Sequence, residues 1–200
     1  MKDADPGATP ARQLYVDWPQ YHRLIERLAV MVFESGYTFE SLLCLARGGM
    51  RVGDVISRVF EVPLAILATS SYREAEGTRA GALDIADFIT TTGGPLHGRL
   101  LLVDDMADSG ATLRGIRTHL RRNYPAIVEI RSAVLWYKQG SAVAPDYYVE
   151  QLPDNPWIHQ PFERYDHMRP ADLARSLAAE PGANPQAPVA TGPKPPGDGG

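Results

Sequence analysis

Two acidic residues side by side, Asp104 and Asp105, end the apolar run Leu100-Leu101-Leu102-Val103, and a third, Asp108, follows after Met106-Ala107. Ser109, Gly110, Ala111 and Thr112 come next, all small, ahead of a helical pattern. At a helix N-terminus the first backbone N–H groups have no intrahelical acceptor, and the helix dipole adds positive potential. Side chains this short let a phosphate approach those groups, so 109–112 reads as an anion site. No lysine follows the glycine, which excludes a phosphate loop of the NTPase type. Carboxylates repel phosphate, but they suit hydroxyls or a hard cation such as Mg²⁺. Acids at a strand end, followed by a phosphate-binding turn, make a ribose-phosphate site. Taken singly, each residue is an ordinary strand terminus or helix cap. The ordered set is not.

Three further junctions carry chemistry. Arg47-Gly48-Gly49 follows the apolar run Leu42–Ala46. The two glycines permit a turn that aims N–H groups at an anion, and Arg47 adds a forked donor. Lys138 follows the run Ile130–Trp136 by two residues, where one ammonium can sit on a carbonyl oxygen. Trp157 and Ile158 lie in Leu152-Pro153-Asp154-Asn155-Pro156-Trp157-Ile158-His159-Gln160-Pro161-Phe162-Glu163, where an aromatic face can stack on a planar ring.

The elements that must position these residues alternate along the chain. Trp18 to Glu34 has apolar residues at Tyr21, Leu24, Ile25, Leu28, Val32 and Phe33, a helical spacing that Gly36 ends. Leu42–Ala46, Leu64–Ala68, Leu100–Val103, Ile130–Trp136 and Tyr147–Gln151 read as strands, and 50–60 and 110–122 as helices. This alternation predicts a parallel sheet with helices on its faces. Ligands of such sheets bind outside the carboxyl ends of the strands, which is where the residues above fall. Tyr72 to Gly98 is polar and weakly periodic, with Gly77, Gly81, Gly93 and Gly94, and it contains Arg73 and Arg79. The 26 residues between Tyr72 and Arg99 are long for a connection and suggest a lid over the site. Residues 1–12 and 171–200 are expected to be disordered and 13–170 to form the domain. The last twenty residues hold six prolines, five glycines and no aromatic residue.

Composition narrows the class. The chain has 200 residues, is 44% hydrophobic and carries a net charge of −4, as a soluble globular domain does. That balance argues against a general nucleic-acid binder, though not against a small anion. A single cysteine, Cys44, excludes a disulfide framework and any multi-cysteine zinc site, and fits a reducing compartment. No run approaches the roughly eighteen apolar residues of a membrane span. The first twelve residues lack an apolar signal core. The expected location is cytoplasmic.

Val103 to Leu113 resembles the phosphoribosyl pyrophosphate (PRPP) motif of type I phosphoribosyltransferases: apolar residues, two acids, a spacer, then Asp-Ser-Gly-x-Thr. The 152–163 segment is similar to the hood of bacterial xanthine-guanine phosphoribosyltransferases, with His159 in place of their Glu and Phe162 in place of their Trp. The resemblance spans roughly Leu14 to Tyr165. It implies the type I phosphoribosyltransferase fold, a parallel sheet flanked by helices with a small C-terminal hood. It implies transfer of the 5-phosphoribosyl group from PRPP to a 6-oxopurine (guanine, xanthine or hypoxanthine), with Mg²⁺, in purine salvage. PRPP would be held by Arg47, Gly48, Asp104, Asp105, Ser109, Gly110, Ala111, Thr112 and a loop arginine, Arg79, with Asp105 at the metal. The base would meet Asp108 at N7, Lys138 at O6, Trp157 by stacking and Ile158 through its backbone. Asp108 and Lys138 are thereby the expected catalytic pair. The resemblance also implies a homo-oligomer, a dimer or tetramer. Two alternatives stay open: a PRPP- or nucleotide-binding regulator of the same fold, and a transferase acting on another acceptor base.

Overall fold

The computed structural model describes residues 12–73, 80–86 and 88–179. They divide between Gln160 and Pro161 into two compact units. In chain order the first holds β1 (Gln13–Tyr15), α1 (Trp18–Glu34), β2 (Ser41–Ala46), α2 (Met50–Phe60), β3 (Leu64–Arg73), β4 (Ala80–Ile85), β5 (Thr90–Thr91), β6 (Gly98–Ala107), α3 (Ala111–Asn123), β7 (Ile127–Lys138), β8 (Tyr147–Leu152) and β9 (Trp157–His159). The second holds α4 (Arg164–His167) and α5 (Pro170–Ala178).

The main sheet runs β4-β3-β2-β6-β7-β8, with β5 on β3. β3, β2, β6, β7 and β8 are parallel to their neighbours, as the alternation predicts. Its central strands are apolar on both faces because helices cover both. Leu43, Leu45, Leu100, Leu102 and Val134 form one core with Leu113, Ile116 and Leu120 of α3. Leu42, Cys44 and Leu101 point the other way by the two-residue period of a strand. Gly53 of α2 packs there so closely that an added Cβ would stand 2.6 Å from the Cys44 Cβ. Of the α1 stripe, Tyr21, Leu24, Ile25, Leu28 and Val32 are buried as their spacing predicts, together with Ala29, whereas Phe33 is 74% exposed because it falls at the edge of that face. Asp17 caps that helix: its carboxylate accepts the Gln20 N–H at 2.7 Å, and the Gln20 side chain accepts the Asp17 N–H.

Four expectations are corrected. β6 and β7 run on past Val103 and Trp136, to Ala107 and Lys138, because each continues to pair with the other through Ala107 and Tyr137. Asp104 and Asp105 therefore lie within a strand, not beyond it. The 72–98 stretch is not a single loop: β3 extends to Arg73, β4 returns antiparallel along it, and β5 pairs Thr91 with Ala65. Edge pairing of this kind is decided by the partner strand, which local periodicity does not reveal. Residues 74–79, with Arg79, lie outside the described residues. Arg12, expected to be disordered, is part of the fold: its carbonyl accepts the Trp157 N–H at 2.9 Å, and β1 pairs parallel with β9. The expectation of disorder from 171 is overturned for Pro170–Ala178, which is helical. Proline suits a first helical position, and the Arg169 N–H donates to Asp172 at 2.9 Å. Residues 1–11 and 180–200 lie outside the described residues.

Candidate active site

The strand order β2-β6-β7 sets three chain ends side by side: Arg47 after β2, the acids of β6, and Lys138 at the end of β7. Arg47 is exposed, with its N-terminal peptide bond cis. The turn behind it is tight. An added Cβ at Gly48 would stand 2.6 Å from the Asp105 carboxylate, and one at Gly49 would stand 2.6 Å from the Val103 carbonyl oxygen. The pair is thus required by close approach to β6, and it brings the turn's backbone directly over an acid.

Asp104 and Asp105 are both half-buried. The Asp105 N–H donates to Asp104 Oδ1 at 2.9 Å, and the Met106 N–H to Asp105 Oδ1 at 2.8 Å. Burial pushes the Asp104 carboxyl well above the usual carboxylate range, and the adjoining Asp105 charge pushes it further. Under the acids lies Tyr21, wholly buried. Its phenol is pushed up first by burial and then by the Asp105 charge. Two acids that repel one another in a partly dry site call for a cation or for donors.

Asp108 and Lys138 meet. Lys138 Nζ lies 3.3 Å from Asp108 Oδ1, with the Lys138 side chain 11% exposed and that of Asp108 42%. An ammonium so nearly buried needs a counter-ion, and Asp108 is the one that faces it. The ladder pairs Ala107 with Tyr137, so the residues after them are brought opposite one another by register alone.

The turn from Ser109 into α3 is closely packed, and its Ala111 N–H donates to Ser109 Oγ at 3.3 Å. Gly110 has φ +76°, and a Cβ there would stand 2.5 Å from Ser141 Oγ and 2.7 Å from the Val143 nitrogen. Only glycine meets both demands. Ser109 accepts the Ala142 N–H at 2.9 Å through its carbonyl, so the turn leans on the chain after β7. Ala111 and Thr112 begin the helix, and its first turn has no acidic side chain. The helix N-terminus thus keeps its positive character.

Trp157 and Ile158 sit on β9, in a two-stranded parallel sheet with β1. Ile158 is buried, whereas Trp157 is 51% exposed, with its ring centroid 6.5 Å from that of His159. His159 stacks on Tyr15 of β1 at 4.4 Å, and its Nε2 is 2.6 Å from Gln13 Oε1. Two contributors were invisible in the sequence. Tyr21 reads there only as one position of an apolar stripe. Gln160, 5% exposed, donates from Nε2 to Asp105 Oδ2 at 2.5 Å; it lies in the hood-like 152–163 segment, but nothing in that segment gave it this role.

Comparison with known proteins agrees with this arrangement. The family model described as the phosphoribosyl transferase domain matches residues 13–167. A xanthine-guanine phosphoribosyltransferase of Idiomarina loihiensis is 25% identical over 157 residues, 78% of this chain and 90% of that one. One of Nitratidesulfovibrio vulgaris is 28% identical over 149 residues, 74% of this chain and 83% of its own. Among solved structures, the purine phosphoribosyltransferase of Pyrococcus horikoshii superposes with a TM-score of 0.62 at 29% identity, covering 75% of this chain and 93% of that one. A parallel sheet, paired acids ahead of a glycine-turned helix, and a family match over that whole region lead to one statement: the chain belongs to the phosphoribosyl transferase domain family.

Proposed function

We propose that this protein transfers the 5-phosphoribosyl group of PRPP to a 6-oxopurine, giving the nucleoside 5′-monophosphate and diphosphate. The observation that carries the reading is the Asp108–Lys138 pair, 3.3 Å apart at adjacent strand ends and directly ahead of the turn into α3. A carboxylate and an ammonium at that spacing match the N7 and O6 edge of an oxopurine, one accepting and the other donating. The purine relatives described above support the same acceptor class.

Each residue then has a task. Ser109, Gly110, Ala111 and Thr112 hold the 5′-phosphate on backbone N–H groups. Asp104 and Asp105 hold the ribose hydroxyls. Arg47 and the Gly48 backbone face the diphosphate, where negative charge grows as the bond to C1 breaks. Base N9 forms the new bond to C1, and the proton at N7 passes to Asp108. Lys138 fixes O6, Trp157 covers the ring, and Arg79 adds charge to the diphosphate.

Two neighbouring carboxylates, one of them disfavoured by its own charge, are a donor set that suits Mg²⁺, which takes one or two carboxylates and otherwise substrate oxygens and water. Asp105 would hold the ion, with Asp104 beside it. When bound it supplies positive charge to the departing diphosphate.

The test is incubation with PRPP, Mg²⁺ and guanine, hypoxanthine, xanthine or adenine, with nucleotide read by chromatography. At least one oxopurine is expected to yield its monophosphate, and Lys138→Ala is expected to lose oxopurine turnover far more than any turnover of the 6-amino base. Binding of PRPP without nucleotide from any of the bases would replace the enzyme by a regulator of the same fold.

A further inference from the structure

Asp105 is held from three directions, and one of them belongs to the hood. Its Oδ1 accepts from the next residue of its own strand, and the Gly48 turn packs against its carboxyl carbon. Its Oδ2 accepts the amide of Gln160 at 2.5 Å. Gln160 directly follows β9, the strand that carries Trp157 and Ile158. It is 5% exposed, so this is a buried contact and not a surface one. Only the N–H side of an amide can face a carboxylate, which turns Oε1 the other way. That oxygen is buried and accepts from none of the described residues. A buried amide with half its capacity idle is costly, and a donor arriving with a ligand would remove the cost.

We propose that Gln160 is the positioning residue that joins the two halves of the site. It fixes Asp105 for the sugar of PRPP, it offers Oε1 to a hydroxyl donor of that ligand, and through β9 it ties this half to the base-binding hood. The proposal rests on the function proposed above. Gln160 takes no part in bond making, so its loss is expected in KM for PRPP and not in kcat.

Two variants and one ligand-free measurement test it. Gln160→Met keeps the length and removes both donor and acceptor. Gln160→Glu keeps an acceptor but sets a second charge against Asp105. In calorimetry with Mg²⁺, PRPP affinity is expected to fall about tenfold in Gln160→Met, the scale of one hydrogen bond to a charged group. It is expected to fall further in Gln160→Glu. In kinetics KM for PRPP should rise in step, with kcat within about threefold of the parent on the same scale. Without ligand, the urea midpoints of Gln160→Met, Asp105→Asn and the double variant should be non-additive, as they are for residues in contact. PRPP affinity unchanged in both variants, or additive midpoints, overturns the proposal. A parent protein that neither binds nor consumes PRPP refutes the proposed function instead, and the urea cycle still decides whether Gln160 holds Asp105.

Discussion

Asp104 carries the clearest conflict between folding and binding. Its carboxyl is held well above the ordinary value of 3.8, by burial first and by the Asp105 charge second. Below the unfolded value both states are protonated, and the residue is neutral to stability. Above the folded value its ionisation opposes folding, so its contribution worsens as pH rises between the two. Asp104→Asn keeps an oxygen for the Asp105 N–H and removes the charge. Melting followed by circular dichroism should show it a few degrees more stable than the parent at pH 7, with roughly 2–4 °C expected per kcal/mol in a domain of this size. The gain should shrink toward pH 4, and PRPP turnover should suffer. A variant less stable than the parent at pH 7 would mean that the carboxylate's hydrogen bond outweighs its desolvation. Asp108 differs because its charge has a partner in Lys138. Asp108→Asn should lower kcat by roughly 10²-fold or more, the usual scale for a lost general base, while PRPP affinity changes little. Collapse of PRPP affinity would instead make Asp108 a brace of the phosphate turn.

Among the elements, the pair β1 and β9 has no counterpart in the strand alternation that organises the rest. Three residues of each suffice because side chains lock them: Tyr15 on His159, and Gln13 to the His159 ring. A two-stranded sheet is marginal alone, so these contacts set how firmly Trp157 is presented. The double variant Gln13→Ala, Tyr15→Ala removes both of them and leaves the acids and the turn into α3 untouched. KM for the base should rise by about five- to tenfold, the scale of one stacking contact and one hydrogen bond, with a smaller rise in KM for PRPP passed on through Gln160. Initial rates with each substrate varied in turn separate the two. An equal rise in both would show that β1 supports the whole upper rim and not the base side alone.

For the molecule as a whole, the candidate site residues that are described all lie in the first unit, and among the described residues no helix is long and apolar enough to cross a membrane. The final twenty residues hold no aromatic residue and, beyond three alanines, Val189 as their one aliphatic side chain that could build a core. Deleting 181–200 should therefore leave the melting temperature within about 2 °C, under roughly 1 kcal/mol in a domain of this size, and kcat unchanged. A larger loss in either would give the tail a structural or functional role.

The sequence by itself determined the parts that local physics can specify. Helical spacing marked α1 at Trp18 and Glu34, and unbroken apolar runs marked the buried strands. The order of acids, small residues and glycine marked the turn into α3, which needs short side chains and a left-handed residue, a demand met at Gly110. Tertiary structure decided whatever depended on a distant partner. β6 and β7 extend because each pairs with the other, and that pairing brings Asp108 to Lys138 across thirty positions of sequence. β1 exists because β9 is there to receive it. Tyr21 and Gln160 reach the acids only through tertiary packing: Tyr21 reads as one position of a stripe, and the hood-like segment that holds Gln160 does not say which residue it meets. Short-range patterns fix an element's type and the chemistry at its end, whereas contacts between residues far apart in the chain are chosen by packing, which no window of sequence contains.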